Sequence, residues 1–308
     1  MLPWLLFSLF ALGLLVLDLR VFHRAGGKDG FRAALGWTIF YVALALTFAG
    51  VLFFWQGRQA SVDFVTGYVL ELSLSADNLF VFLVIFNFFA VPEQHQHRVL
   101  FWGVLGALVL RGAFIGAGVS LLQRFHWLLY VFGAILVYSG IRFLVVGDRK
   151  INPATNPVVR TLRRFIPVTA NYQGGQFLVR NPQENLRLYA TPLLIVLLVI
   201  ETTDLLFAVD SIPAVLAITL NAFIVYTSNV FAILGLRSMY FAVAGLLKLF
   251  RFLHYGLALI LILVGAKMLA SEHVRIATEP TLAAVGAILF VSIALSVIFP
   301  APAKATSP

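Results

Sequence analysis

The chain has no cysteine in 308 residues. A disulfide framework, a thiolate metal site and a cysteine nucleophile are therefore all excluded. Charge is scarce as well: Asp, Glu, Lys and Arg make up 11% of the chain, against about 25% in soluble domains. No phosphate-cradling glycine loop is present, and no nucleophile lies beside a base in a pattern that suggests catalysis, so the expectation is a protein that is not an enzyme and needs no cofactor. What fills the chain instead is apolar surface, 61% of residues, with a mean hydropathy of +0.97. A water-facing fold has no way to hide that much Phe, Leu and Val. A bilayer accepts it, provided each segment satisfies its own backbone as a helix of about 20 residues.

Nine stretches are long enough to span, near 3–19, 31–55, 62–90, 98–122, 124–146, 187–212, 222–247, 252–271 and 281–299. The predicted fold is an all-α polytopic transmembrane bundle. The first stretch has neither a basic lead nor a small-residue cleavage site, and reads as a retained span. The net charge of +9 is spread unevenly over the loops. Arg20, Arg24, Lys28, Arg32, Arg98, Arg149, Lys150, Arg160, Arg163, Arg164, Arg180, Arg187, Lys248 and Arg251 fall in odd-numbered loops; Arg58, Arg124 and Arg275 fall in even-numbered ones. By the positive-inside rule the N-terminus lies outside and the C-terminus inside. The basic balance is thus a topology signal and not a nucleic-acid footprint. Residues 147–186 read as a basic cytoplasmic connector, and 301–308 as a short polar tail.

An internal repeat organises the middle of the chain. Residues 71–89, ELSLSADNLFVFLVIFNFF, align with 204–222, DLLFAVDSIPAVLAITLNA. Glu71 matches Asp204, Asp77 matches Asp210, and Asn78 matches Ser211. Further on, LRGAFIGAGVSLL (110–122) matches LRSMYFAVAGLL (236–247), pairing Arg111 with Arg237, and Gly140-Ile141-Arg142 matches Gly265-Ala266-Lys267. Spans 3–5 (61–146) and 6–8 (187–271) form two copies of a three-helix unit. Three is odd, so the copies run in opposite directions, as in the inverted repeats of secondary transporters. Spans 1 and 2 (1–60) and span 9 with its tail (272–308) lie outside the repeat and are expected to be peripheral.

Five acids fall inside predicted spans: Glu71, Asp77, Glu201, Asp204 and Asp210. At about 2.5–3.5 kcal/mol each, leaving them unpaired would cost on the order of 12–17 kcal/mol. Arg111 and Arg237 can compensate two, which leaves three negative charges for a divalent cation or protons. The nearby donors are the Asn78 amide and the hydroxyls of Ser73, Ser75, Thr202, Thr203 and Ser211, hard oxygen ligands suited to Mn, Mg or Ca. The bland alternative is that the acids form structural pairs with the two arginines. Positions six apart on a helix lie about 120° apart, so neither motif can aim both acids at one ion along a regular helix. Either the helix breaks, as Pro213 favours in the second repeat, or one acid serves the ion and the other an arginine or a proton path. Glycines such as Gly112, Gly116, Gly133, Gly140, Gly256 and Gly265 are expected at close helix contacts. Asn229 is a candidate peripheral ligand or interhelical hydrogen bond, and His95 and His97 form an H-x-H pair in a short loop.

The blocks ELSLSADNLFVF (71–82), RVLFWGVLGALVLRG (98–112) and ETTDLLFAVDSIPAVLAIT (201–219) with FIVYTSNVFAILGLRSMYF (223–241) resemble the signature blocks of the TerC family, over essentially the whole chain. The resemblance implies a bacterial inner-membrane protein, and family members that export manganese(II). It also implies that Glu71, Asp77, Asn78, Asp204 and Asp210 are the family's acidic motif positions. Members have further been linked to tellurite resistance and, in plants, to thylakoid biogenesis. The expectation is a divalent-metal exporter, with Mn2+ as substrate, Glu71, Asp77, Asn78, Glu201, Asp204, Asp210 and Ser211 toward the metal, and Arg111 and Arg237 compensating charge. The rivals are a transporter of another solute, such as Ca2+ or an amino acid, and a non-transporting membrane-complex partner.

Overall fold

The computed structural model describes residues 2–22, 30–125, 127–146, 161, 166–169, 171–181, 187–243, 252–271 and 277–299. Among them are nine helices: α1 (Leu2–Phe22), α2 (Gly30–Gln56), α3 (Arg58–Phe88), α4 (Glu93–Arg124), α5 (Leu128–Val146), α6 (Pro192–Leu216), α7 (Ala222–Val243), α8 (Leu253–Leu269) and α9 (Thr278–Ile298). They fall on the nine apolar stretches read from sequence. Six of them (α2, α4, α5, α6, α7 and α9) are long and apolar enough to cross a membrane, while α8 and the described Leu2–Leu17 part of α1 are shorter apolar helices. The ends carry ordinary stop and start chemistry. Gly57 joins α2 to α3 at a φ of 95°, open to glycine without a Cβ penalty. Glu93 and Arg124 sit in the first and last turns of α4, each on the side the helix dipole favours.

The bundle is apolar outside as well as inside. Phe54 is 89% exposed and Phe290 74% exposed, and similar side chains line the outward faces of α1, α2 and α9. In water such a surface would drive aggregation; against lipid chains it costs nothing. The protein is a polytopic helical membrane bundle.

Packing within the bundle follows a regular scheme. Helix α5 packs on α8, α3 on α7, α4 on α6, α3 on α6 and α4 on α7. At the α5–α8 crossing the backbones nearly touch. A Cβ at Gly133 would come 3.0 Å from the Gly265 carbonyl oxygen, and one at Gly140 would come 2.7 Å from that of Ala258. Rising numbers in α5 meet falling numbers in α8, so the two helices are antiparallel. The expected role of Gly133, Gly140 and Gly265 in close packing holds, whereas Gly116 faces open space. The flanking helices divide: α2 buries Ala34, Tyr41, Ala45 and Leu52 and packs on α3 and α7, while α9 packs on α8 and α3.

The long loop is more than a connector where it is described. Strands β1 (Leu178–Asn181) and β2 (Arg187–Ala190) pair antiparallel, and Val168 bridges to Ala190. This cap is tied to the ends of α3 and α4. The Tyr172 hydroxyl donates to the Phe89 carbonyl at 2.7 Å, and the Arg98 guanidinium lies 5.4 Å from the Phe177 ring centre. Burial raises the Tyr172 hydroxyl above its ordinary pKa.

Candidate functional site

Arg111 lies on the buried face of α4, 1% exposed, and four side chains from three other helices converge on it. Its Nε and Nη2 donate to the two carboxylate oxygens of Asp204 on α6, at 3.1 and 3.0 Å. Its Nη1 donates to Glu71 Oε1 on α3, to Asn229 Oδ1 on α7 at 3.0 Å, and to Ser211 Oγ on α6 at 3.4 Å. Asn229 is itself oriented, because its Nδ2 donates to the Val225 carbonyl at 3.1 Å. A planar guanidinium with five N–H groups suits this arrangement; an ammonium would not reproduce the fork on Asp204. One arginine thus takes the first acid of both motifs.

The second acid of the α6 motif goes elsewhere. Asp210 Oδ1 accepts from Ser139 Oγ of α5 at 2.8 Å. A cavity of about 20 Å³ lies beside it, lined by Asn78, Asp210 and Ser211 together with Leu74, Phe143, Phe207, Leu257 and Leu261. That is room for about one water-sized particle. Asn78 is 2% exposed, and its Oδ1 has no hydrogen-bond partner. The predicted choice between a broken helix and divided acids is settled for α6: the helix runs unbroken through Pro213 to Leu216, and Asp204 and Asp210 serve different partners. The expected break at Pro213 does not occur. The chain leaves the helix one turn later, where the Ala217 amide still closes on the Pro213 carbonyl at 2.9 Å.

Glu201 sits one turn before Asp204, with its carboxylate seated over Gly106 of α4. A Cβ at that glycine would collide with the Glu201 carboxylate. Glu201 Oε2 is buried without a hydrogen-bond partner, as are Glu71 Oε2 and Ser75 Oγ. Helix α3 is continuous through its motif, so Glu71, Ser75 and Asn78, spaced i, i+4 and i+7, share one face. A wider cavity of about 290 Å³ lies at the ends of α6 and α8, lined in part by Thr219, Lys267, Ser271 and Thr278.

Not every expected ligand joins this core. The hydroxyls of Ser73, Thr202 and Thr203 are spent on the carbonyls of Val69, Leu198 and Val199 one turn back. The imidazoles of the H-x-H pair diverge: His97 stacks on Phe241 with ring centres 3.9 Å apart, while His95 lies against Gly175 of the cap. The side chains of Asp77 and Arg237 lie outside the described residues. Among the described residues no group of three or more His, Cys, Asp or Glu side chains comes together as a metal cluster. Ser139 was missed by the sequence reading. Its signal was faint, a lone serine in α5 next to the glycine that packs on α8.

The integral membrane protein TerC family model matches residues 56–304. An uncharacterized membrane protein of Myxococcus xanthus is 46% identical over 96% of this chain and 92% of its own length. A Salmonella typhi protein named "Putative membrane-bound redox modulator Alx" is 42% identical over 95% of this chain and 93% of its own. An uncharacterized membrane protein of Rickettsia bellii is 37% identical over 96% and 97%. No solved structure matches the chain.

Proposed function

From the premise that this chain belongs to the TerC family of integral membrane proteins, we propose that it exports a divalent metal ion, Mn2+ above others, across the bacterial inner membrane by alternating access. The carrying observation is the ion-sized cavity lined by Asn78 of α3 and by Asp210 and Ser211 of α6, of which Asn78 and Ser211 correspond in the two motifs. Hard oxygen donors of this kind suit Mn2+ and Mg2+, and soft metals have no thiolate here to bind. Asp77, matched to Asp210 by the repeat, completes the donor set in this reading. Glu71 and Asp204 are then held by Arg111 and act on the substrate only through the rearrangement of that centre.

Several features support the inverted repeat and nine spans. The packing pairs exchange under it: α3 on α7 becomes α6 on α4, and the Gly133–Gly265 contact becomes Ala258–Gly140. Antiparallel α5 and α8 are what an odd-numbered repeat requires. With the N-terminus outside, the wider cavity at the ends of α6 and α8 opens outward and the cap covers the cytoplasmic side. Coupling comes from an ion gradient, protons entering the carboxylates as the metal leaves. The partners in this reading are the metal ion and the lipid bilayer, with no nucleic acid, no cofactor and no enzymatic step. A thiol-based redox role is closed to a chain without cysteine.

The test is manganese uptake into inverted membrane vesicles. Asp77→Asn and Asp210→Asn are expected to lose flux at least tenfold at equal protein level; unchanged flux in both variants overturns the proposal. A panel with Ca2+ and amino acids identifies a different solute, and flux-free liposomes of the purified protein point to a non-transporting partner.

A further inference from the structure

We infer that the Glu71–Ser75–Asn78 face of α3 is a hydrated proton path that joins the Arg111 centre to the Asp210 cavity, with Ser75 as its middle link. All three side chains are at least 98% buried, and each keeps an oxygen without a hydrogen-bond partner: Glu71 Oε2, Ser75 Oγ and Asn78 Oδ1. Stranding one buried polar atom costs about 1–3 kcal/mol. Three on one face of one helix, at steps of about 6 and 4.5 Å along its axis, form a file and not a scatter of defects.

Ser75 is the informative member. Serine inside a helix commonly satisfies itself on a carbonyl one turn back, as Ser73 does on Val69 and Thr66 on Val62. Ser75 makes no such bond, so its hydroxyl stays available on the shared face. A hydroxyl both donates and accepts, and it can pass a proton onward from one side while receiving one from the other, with no net change in itself. Steps of this length are too long for direct hydrogen bonds and call for water between the oxygens. At one end Glu71 offers a carboxylate oxygen that Arg111 leaves unbound; at the other, Asn78 opens on the cavity shared with Asp210. Water, not the metal, suits the middle of the file, because Ser75 supplies a single neutral oxygen there and a divalent cation needs about six ligands.

The absence of native cysteine makes the test clean, since any introduced thiol is the sole one. Ser75→Cys is nearly isosteric, and Leu70→Cys, equally buried on the same helix but off that face, is the control. A cysteine thiolate attacks the sulfenyl sulfur of methanethiosulfonate reagents, forming a mixed disulfide and expelling methanesulfinate, and the thiolate forms only where water reaches. A small cationic reagent of this class is expected to label Ser75→Cys at least tenfold faster than Leu70→Cys in intact membranes. Equal, slow labelling of both overturns the path. This arm needs no transport, so it stands or falls apart from the export reading; vesicles that move no manganese while Ser75→Cys still labels defeat export and leave the path standing. A second arm rests on that reading. Ser75→Ala is expected to keep equilibrium manganese binding while proton release accompanying flux falls at least fivefold, and unchanged proton release overturns the relay role.

Discussion

Around Arg111 two carboxylates, an amide and a hydroxyl converge on one guanidinium. On the same two motif-bearing helices, six or seven residues further along each, Asp210 is met by Ser139, and Asn78 turns an unpartnered oxygen toward a small cavity. The first region spends its polar groups on one another except for Glu71 Oε2; the second keeps Asn78 Oδ1 beside a cavity. Buried charge that is internally matched holds helices together, and buried polarity that is left partly unmatched is what a ligand can use. Ser211 belongs to both regions, touching Arg111 and lining the cavity. A shift at one is therefore felt at the other.

The two regions differ most at Arg111. Arg111→Ala strands Glu71 and Asp204 as buried acids and is expected to cost about 3–5 kcal/mol of stability, measured by thermal or denaturant unfolding in detergent; Arg111→Lys should lose less, because charge is kept and only the fork is lost. A stable Arg111→Ala protein erases the distinction between the two regions. Next in size is Gly140→Val at the α5–α8 contact, where a Cβ meets the Ala258 carbonyl oxygen at 2.7 Å. Overpacking there is expected to cost about 1–3 kcal/mol by the same measurement. Ser139→Ala removes one hydrogen bond from Asp210 and should cost about 0.5–1.5 kcal/mol, with a change in manganese affinity larger than that modest stability loss suggests. The smallest effect belongs outside both regions: the exposed Arg58–Glu279 pair, at 3.8 Å, is expected to contribute less than about 0.5 kcal/mol, so Arg58→Ala unfolds like the parent.

The helix positions were legible because a run of some twenty apolar residues is a one-dimensional signal, and α1 to α9 fall where those runs lie. The pairing of acids with arginines was not, because it depends on how helices are rotated against one another. Arg111 reaches 40 residues back to Glu71 and 93 forward to Asp204, and nothing local in those segments fixes such contacts. Six residues of helix still part the two acids of α6 as the spacing predicts, Asp204 toward Arg111 and Asp210 toward Ser139. Pro213 misled because a proline near the last turn of a helix forfeits one hydrogen bond and is tolerated there, without breaking the helix between the two acids. Ser73, Thr202 and Thr203 looked like ligands by type; their bonds to the preceding turn are visible only in the structure.

The most direct test of the division between a locking centre and a binding cavity is manganese binding to the purified protein, followed by the loss of the free aqueous Mn2+ signal in electron paramagnetic resonance. The account predicts bound Mn2+ in the parent and at least tenfold weaker binding in Asp210→Asn, with the unfolding transition of that variant close to the parent's. Parent-like binding in Asp210→Asn, or a collapse in its stability comparable to that of Arg111→Ala, would contradict it.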